Sequence, residues 1–174
     1  MDLEWHSVSL SGARRQLLPR LRGKVFHVTT PANALSIIQS GRIGSNQSNC
    51  YPLRWQGTSY FRKRGFVSVC DLHHNTSVRL TNEAALSKYH IFNQGTMGAS
   101  AFFFLAESHY DRLVKWRACK KETGLSELVV PHLESGFPNE ILLRDICAIW
   151  WVKVTTFSHV PGGFMTRFSP RSPR

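Results

Sequence analysis

Apolar and polar residues follow two different periods along the chain, and the clearest change from one to the other lies at residues 24–41. Residues 24–29 (KVFHVT) are rich in β-branched and aromatic side chains and predict a strand. Thr30 suits the N-cap of a following helix, Pro31 suits its first turn, and Gly41 suits the position after its end. The helical spacing predicts an apolar face made of Ala34, Leu35, Ile37 and Ile38.

Short apolar runs separated by polar segments predict the remaining elements. Strands are predicted at residues 66–70, 101–105, 128–130, 141–143 and 148–154. Helices are predicted at residues 13–21, 83–89 and 109–121, a long surface loop at 43–57, and a turn at Ser135–Gly136. Because predicted strands outnumber predicted helices, the pattern indicates a mixed α+β domain.

The length of 174 residues and the 20 aromatic side chains predict one packed domain. We expect its core at about residues 24–157, a loose basic lead-in at 1–23, and a flexible basic tail at 161–174. Every apolar run is too short to span a bilayer, and the first residues lack the apolar stretch of a secretory signal. The four cysteines form no CxxC pair, so we expect reduced thiols in a cytoplasmic protein.

Charge adds a prediction about partners. The chain carries 22 Lys and Arg against 11 Asp and Glu, and no acidic residue lies between Trp5 and Cys70. A basic half of this kind attracts polyanions, so we expect a nucleic acid or another phosphate-rich ligand and no membrane partner. Solubility alone, or an acidic protein partner, would also account for the charge.

Three groups of residues are candidates for chemistry. His27 and Thr29 point to one face of a strand and could share a ligand hydroxyl, although His27 could equally be a satisfied core histidine. Tyr60, Arg62 and Arg64 combine a stacking ring with phosphate binders, unless they form an ordinary basic loop. Glu134 and Glu140 flank the predicted turn as scarce carboxylates, and either could be a solvated turn residue. We expect no metal site, because Cys70, His73, His74 and His90 lack ligand spacing.

The two most specific motifs resemble those of the ADP-ribosyltransferase family. HVTTPANALSIIQSG resembles its His-x-Thr strand and following helix, and Asn33, Leu35, Ile38 and Gly41 are closest to the DarT-type enzymes that modify nucleic acid. The late segment, a Glu followed by ILLRDICAIWWVKV, is similar to the end of such domains. The resemblance runs in order through most of residues 24–154, with specific motifs at its two ends.

The resemblance implies a split β-sheet core with flanking helices and a site for NAD. His27 and Thr29 would bind NAD, Tyr60 would lie near the nicotinamide, and Arg62 or Arg64 would bind a phosphate. The catalytic residue would be Glu134 by its spacing from LLRDICAI, or Glu140 by its position at the start of a strand. We lean towards Glu134.

The activity that the resemblance implies is transfer of a single ADP-ribosyl group from NAD to DNA or RNA, after cleavage of the nicotinamide–ribose bond. Such a protein would be a toxin or defence effector held in check by an antitoxin protein. Three alternatives stay open: a non-enzymatic nucleic-acid-binding module, an ADP-ribosyltransferase that modifies protein, and an NAD-using 2′-phosphotransferase that processes RNA.

Overall fold

A seven-stranded sheet forms the centre of the fold in the computed structural model, which describes residues 1–9, 12–48, 60–73, 98–119 and 133–155. The strands are β1 (Asp2–Ser9), β2 (Val25–Thr29), β3 (Arg42–Gly44), β4 (Phe66–Asp71), β5 (Gly98–Leu105), β6 (Val114–Lys115), β7 (Glu134–Pro138), β8 (Glu140–Leu142) and β9 (Ile146–Thr155). The large sheet has the order β1-β9-β5-β2-β4-β7-β6, and β3 pairs with β8 in a second, two-stranded sheet. Strand β1 runs parallel to β9, and the other neighbours are antiparallel.

Short helices flank the large sheet. They are α1 (Ala13–Leu21), α2 (Pro31–Ser40), α3 (Tyr60–Lys63) and α4 (Trp116–Cys119), with 3₁₀ turns at Glu107–Arg112 and Leu143–Asp145. The mixed α+β class predicted from the sequence is therefore confirmed. Among the residues that the structure describes, no helix is long and apolar enough to cross a membrane.

The apolar run of β5 is explained by burial on both faces of the sheet. Phe102 and Phe104 pack with Leu17 and Leu21 of α1 on one face. Phe103 and Leu105 pack on the other face, in a cluster that includes Ala34 of α2. Because successive side chains of a strand point to opposite faces, a central strand covered on both sides needs an unbroken apolar run.

The strand and helix predicted at residues 24–41 are confirmed. The Thr30 hydroxyl oxygen accepts a hydrogen bond of 3.2 Å from the backbone N–H of Asn33, and Gly41 adopts the left-handed conformation at φ 71°. The prediction of an apolar, buried face on this helix is only partly correct. Ala34 is buried, whereas Leu35 and Ile38 are 56% and 39% exposed.

The N-terminal prediction is wrong. The described residues of the segment 1–23 do not form a loose lead-in, because β1 pairs with β9 along its whole length, from Asp2↔Ala148 to Ser9↔Thr155. The helix predicted at residues 13–21 is confirmed and continues through Pro19. The N-terminal segment is thus the edge strand of the large sheet and one cover of its core.

Two predictions in the second half of the chain are also wrong. The helix predicted at residues 109–121 is replaced over its described part by a 3₁₀ turn, β6 and α4. Ser135 and Gly136 do not form a turn but lie within β7, between β4 and β6. Strand pairing overrides the helical spacing of the first segment and the turn signal of the second. The predictions for residues 49–57, 83–89, 128–130 and 161–174 fall outside the described residues.

Strands β2 and β4 are paired at one end only, and this divides the large sheet. Their ladder contains Val25↔Asp71 and Phe26↔Cys70. Beyond Phe26, β2 stays paired with β5 as far as Thr29, while β4 stays paired with β7. The sheet therefore separates into a β1-β9-β5-β2 part and a β4-β7-β6 part that are joined through two residue pairs.

A buried carboxylate holds the β4-β7-β6 part together. Asp71 accepts hydrogen bonds of 2.8 Å from the Ser135 hydroxyl, the Lys115 ammonium and Nδ1 of His73. Burial raises the pKa of Asp71, but the hydrogen bonds from these three donors outweigh it and hold the pKa below the ordinary 3.8. Asp71 is therefore ionised in the folded protein at neutral pH.

We predict that Asp71→Asn lowers the free energy of unfolding at neutral pH by about 3 kcal/mol, since it leaves Lys115 and Ser135 without their ionised partner. A carboxyl whose pKa is lower in the folded state stabilises the protein above its unfolded pKa, and this contribution is lost as the pH falls through the folded value. The difference between wild type and variant should thus shrink below about pH 4 in urea unfolding. The same substitution at the exposed Asp111 is the control and should change little.

Helix α3 is fixed against the sheet by a close contact between Phe61 and Gly136. Phe61 is fully buried, and a Cβ atom added at Gly136 would overlap its ring. Gly136 lies opposite Ser68 of β4 in the ladder. The absence of a side chain at Gly136 is what allows α3 to approach this part of the sheet.

We predict that Gly136→Ala destabilises the protein by about 1–3 kcal/mol, because the Phe61 ring and α3 must shift to admit the methyl group. Gly44→Ala is the matched control, since a Cβ atom there meets nothing within 4 Å. Thermal unfolding of the two variants measures the difference. Equal melting temperatures would contradict the contact.

Candidate active site

Ser68 contacts two of the residues that the sequence singled out. Its backbone carbonyl oxygen accepts a hydrogen bond of 3.0 Å from Nδ1 of His27. Its hydroxyl donates a hydrogen bond of 2.6 Å to Oε1 of Glu134. A histidine and a carboxylate that lie 107 positions apart in the sequence are therefore joined through one residue.

The division of the sheet creates this arrangement. If the register of β2 and β4 continued, His27 would pair with Val69 and Val28 with Ser68, but the ladder ends at Phe26↔Cys70. The Ser68 carbonyl instead receives the ring of His27. The site thus lies at the point where β2 and β4 separate.

The two side chains start from opposite faces of the sheet. Glu134 pairs with Cys70, which pairs with Phe26, so these three side chains share a face. His27 follows Phe26 and lies on the other face. Ser68 contacts both residues, His27 through its backbone carbonyl in the plane of the sheet and Glu134 through its hydroxyl.

The neutral ring of His27 is held in one tautomer. A carbonyl oxygen only accepts, so Nδ1 carries the hydrogen and the neutral ring keeps a lone pair on Nε2. Burial lowers the pKa of His27 below 6.5, although its hydrogen bond to Ser68 acts in the opposite direction. At neutral pH the ring therefore offers Nε2 as an acceptor for a hydroxyl group.

Thr29 lies on the same face of β2 as His27, as the sequence predicts. It is the last residue of β2, lies opposite Ala101 of β5, and is buried. Helix α2 begins two residues later, after the Thr30 cap. Both polar side chains of the His-x-Thr motif thus belong to a rigid strand that is fixed by β5.

The Tyr60 side chain is not exposed for stacking on a ligand. Tyr60 is buried, and the guanidinium carbon of Arg64 lies 3.8 Å from the centroid of its ring. Arg62 lies in the same short helix, which packs on β4 and β7 beside Ser68 and Gly136. The ring that we predicted to stack on a ligand instead contacts the guanidinium of Arg64.

The structure distinguishes the two glutamates. The Glu134 residue is 7% exposed and bonds to Ser68 beside His27. The Glu140 side chain is 40% exposed, lies at the start of β8 in the small sheet, and pairs with Arg42 at 3.1 Å. Glu134 is thus the carboxylate that the fold brings to the His-x-Thr strand.

Sequence reasoning missed the roles of Ser68 and Asp71. Ser68 is a single hydroxyl in the apolar strand FVSVC, and Asp71 ends the same strand. Buried polar groups need partners, so such residues in an apolar strand indicate a hydrogen-bond network. The partners themselves, Glu134 and Ser135, become visible only with the β4–β7 register.

We compared the chain with known proteins and found no relative. No protein-family profile, no curated protein and no solved structure matches the chain. Among the described residues no group of three His, Cys, Asp or Glu side chains is placed to hold a metal ion.

We predict that the His27 ring is neutral at pH 7 with its hydrogen on Nδ1, and that it titrates below pH 6.5. Because the unfolded chain takes up this proton first, the contribution of His27 makes the protein less stable as the pH falls from about 6.5 towards the folded pKa. Nitrogen-15 NMR of the imidazole reports both tautomer and pKa. The Nε2–H tautomer, or a midpoint above 6.5, would contradict this account.

Proposed function

We propose that this protein is an NAD-dependent ADP-ribosyltransferase that modifies nucleic acid. The observation that carries the proposal is the contact of Ser68 with both His27 and Glu134. This contact joins the two motifs on which the family resemblance rests. It supports one site made of a neutral histidine, a threonine on the same strand face, and a buried carboxylate.

His27 and Thr29 would hold NAD. A neutral imidazole with a free lone pair on Nε2 accepts a hydrogen bond from a hydroxyl, and NAD presents ribose hydroxyls beside its nicotinamide. The fixed strand keeps the acceptor in one place, so little entropy is lost when the ligand binds. The separation of β2 from β4 supports a location for NAD at this edge.

Glu134 would act on the reacting ribose. NAD supplies the ADP-ribosyl group and a nicotinamide that leaves with the electrons of its bond to ribose C1′. A carboxylate oriented by Ser68 stabilises the positive charge that develops on the ribose, or accepts the proton that the nucleophile loses. Ser68 fixes Oε1 of Glu134 before the substrate arrives, so the carboxylate needs no reorganisation in the transition state.

The basic charge supports nucleic acid as the acceptor. The formal net charge is +11, and the acid-free stretch from Trp5 to Cys70 includes β2, α2 and α3. A field of this sign raises the local concentration of a polyanion near the proposed site. We further propose that the protein acts in the cytoplasm as a toxin or defence effector restrained by an antitoxin protein.

We predict that Glu134→Gln lowers the initial rate of NAD-dependent labelling of DNA or RNA at least ~100-fold, because the amide cannot carry the negative charge. The matched control is Glu140→Gln, which removes a charge from an exposed ion pair and should leave the rate within about threefold. Incubation with labelled NAD and separate DNA, RNA and protein fractions measures the transfer.

Three other results of this labelling experiment would each favour a different account. Loss of transfer in Glu140→Gln alone would make Glu140 the catalytic residue. Labelling of the protein fraction alone would replace nucleic acid as the acceptor. Salt-sensitive nucleic-acid binding with no NAD turnover in the wild type would favour a binding module without enzymatic activity.

A further inference from the structure

An exposed tryptophan lies on the edge strand of the large sheet, outside the site described above. Trp5 of β1 is 74% exposed, and its ring stacks on Trp151 of β9 with a centroid distance of 5.4 Å and an interplanar angle of 14°. Trp151 is itself half-buried against the core cluster on the α2 side of the sheet. Trp5 contributes little buried area to the fold, yet its ring stacks on that of Trp151.

The tryptophan pair shares a face of the sheet with the His-x-Thr strand. Reading across the register, Trp5 pairs with Trp151, Trp151 with Ala101, and Ala101 with Thr29. Side chains at paired positions point to the same face. Three strand spacings place the backbones of Trp5 and Thr29 about 14 Å apart.

The charge on this face suits a phosphate backbone. Lys153 follows Trp151 by two residues, so it lies on the same face, and it is exposed. The carboxylates of β1, Asp2 and Glu4, alternate onto the other face, where Glu4 pairs with Arg20 of α1 at 2.8 Å. Helix α2, which packs on the tryptophan face, contains no charged residue.

We propose that the Trp5–Trp151 stack is a subsite for an unpaired base of a single-stranded nucleic acid, with Lys153 contacting its phosphates. A preoriented exposed ring beside a cation is the arrangement by which proteins bind single strands, because every base has a flat face that can stack. A base on the outer face of Trp5 would extend the stack of two rings to three. The role of this subsite in holding the acceptor strand rests on the proposed function.

The test is fluorescence anisotropy of a short, labelled, single-stranded oligonucleotide with the full chain and no NAD. We expect Trp5→Ala to weaken binding about tenfold, and Trp5→Phe to keep most of the affinity, since a phenyl ring still stacks. Leu3→Ala is the matched control: Leu3 is exposed on the same strand and face but has no ring, and its loss should leave affinity unchanged.

Salt dependence separates the two contacts. Lys153→Gln should reduce the slope of log affinity against log salt by about 0.7, the value for one phosphate contact on a single strand, whereas Trp5→Ala should leave the slope unchanged. A duplex of the same sequence should bind with no dependence on Trp5, because its bases are already stacked on one another.

Three results would overturn the subsite. Trp5→Ala could bind like wild type, Leu3→Ala could lose as much affinity as Trp5→Ala, or the wild type could form a dimer that Trp5→Ala dissociates. The second would show that the strand surface, and not the ring, carries the binding, and the third would identify an apolar protein interface. Binding is measured without NAD, so this test is independent of the transferase proposal. If only the transferase proposal fails, the oligonucleotide still binds but is not labelled.

Discussion

The ladder between β2 and β4 ends after two residue pairs, and the candidate site depends on that ending. If the ladder continued, the Ser68 carbonyl would be a partner for the strand backbone at Val28, and the β2–β4 edge would be closed. Because it stops, the carbonyl is available to Nδ1 of His27, and His27 keeps Nε2 for a ligand. The same break that weakens the middle of the sheet supplies an edge at which polar side chains meet.

Two consecutive residues of β7 hold the second part of the sheet in place. Glu134 accepts from the Ser68 hydroxyl, and Ser135 donates to the Asp71 carboxylate. Since adjacent side chains of a strand point to opposite faces, these bonds fix β7 to β4 from both sides. Asp71 adds Lys115 of β6 and His73 to the same network. The Ser68 hydroxyl orients the carboxylate that we propose acts on ribose, and the Asp71 contacts join β4, β6 and β7 despite the weak link to β2.

Local chemistry explains which parts of the structure were predictable from the sequence. The Thr30 cap, Pro31 and Gly41 fix α2 by short-range rules, and the run AFFFL predicts a central strand. The strand at the N-terminus was missed because β1 exists through its parallel pairing with β9, 146 residues further along the chain. Helical spacing at residues 109–121 was outweighed by the pairing of β6 with β7. His27 and Glu134 could be named from motifs, but their connection through Ser68 depends on a long-range register that no local pattern contains.

A double-mutant cycle between Ser68 and Glu134 tests most directly whether Ser68 orients the carboxylate of the proposed site. The rate of NAD-dependent transfer would be measured for wild type, Ser68→Ala, Glu134→Gln and the double variant. If Ser68 acts by orienting the Glu134 carboxylate, Ser68→Ala lowers the rate in wild type but has no further effect once Glu134 is Gln. Additive losses, or a wild type that turns over no NAD, would contradict the account.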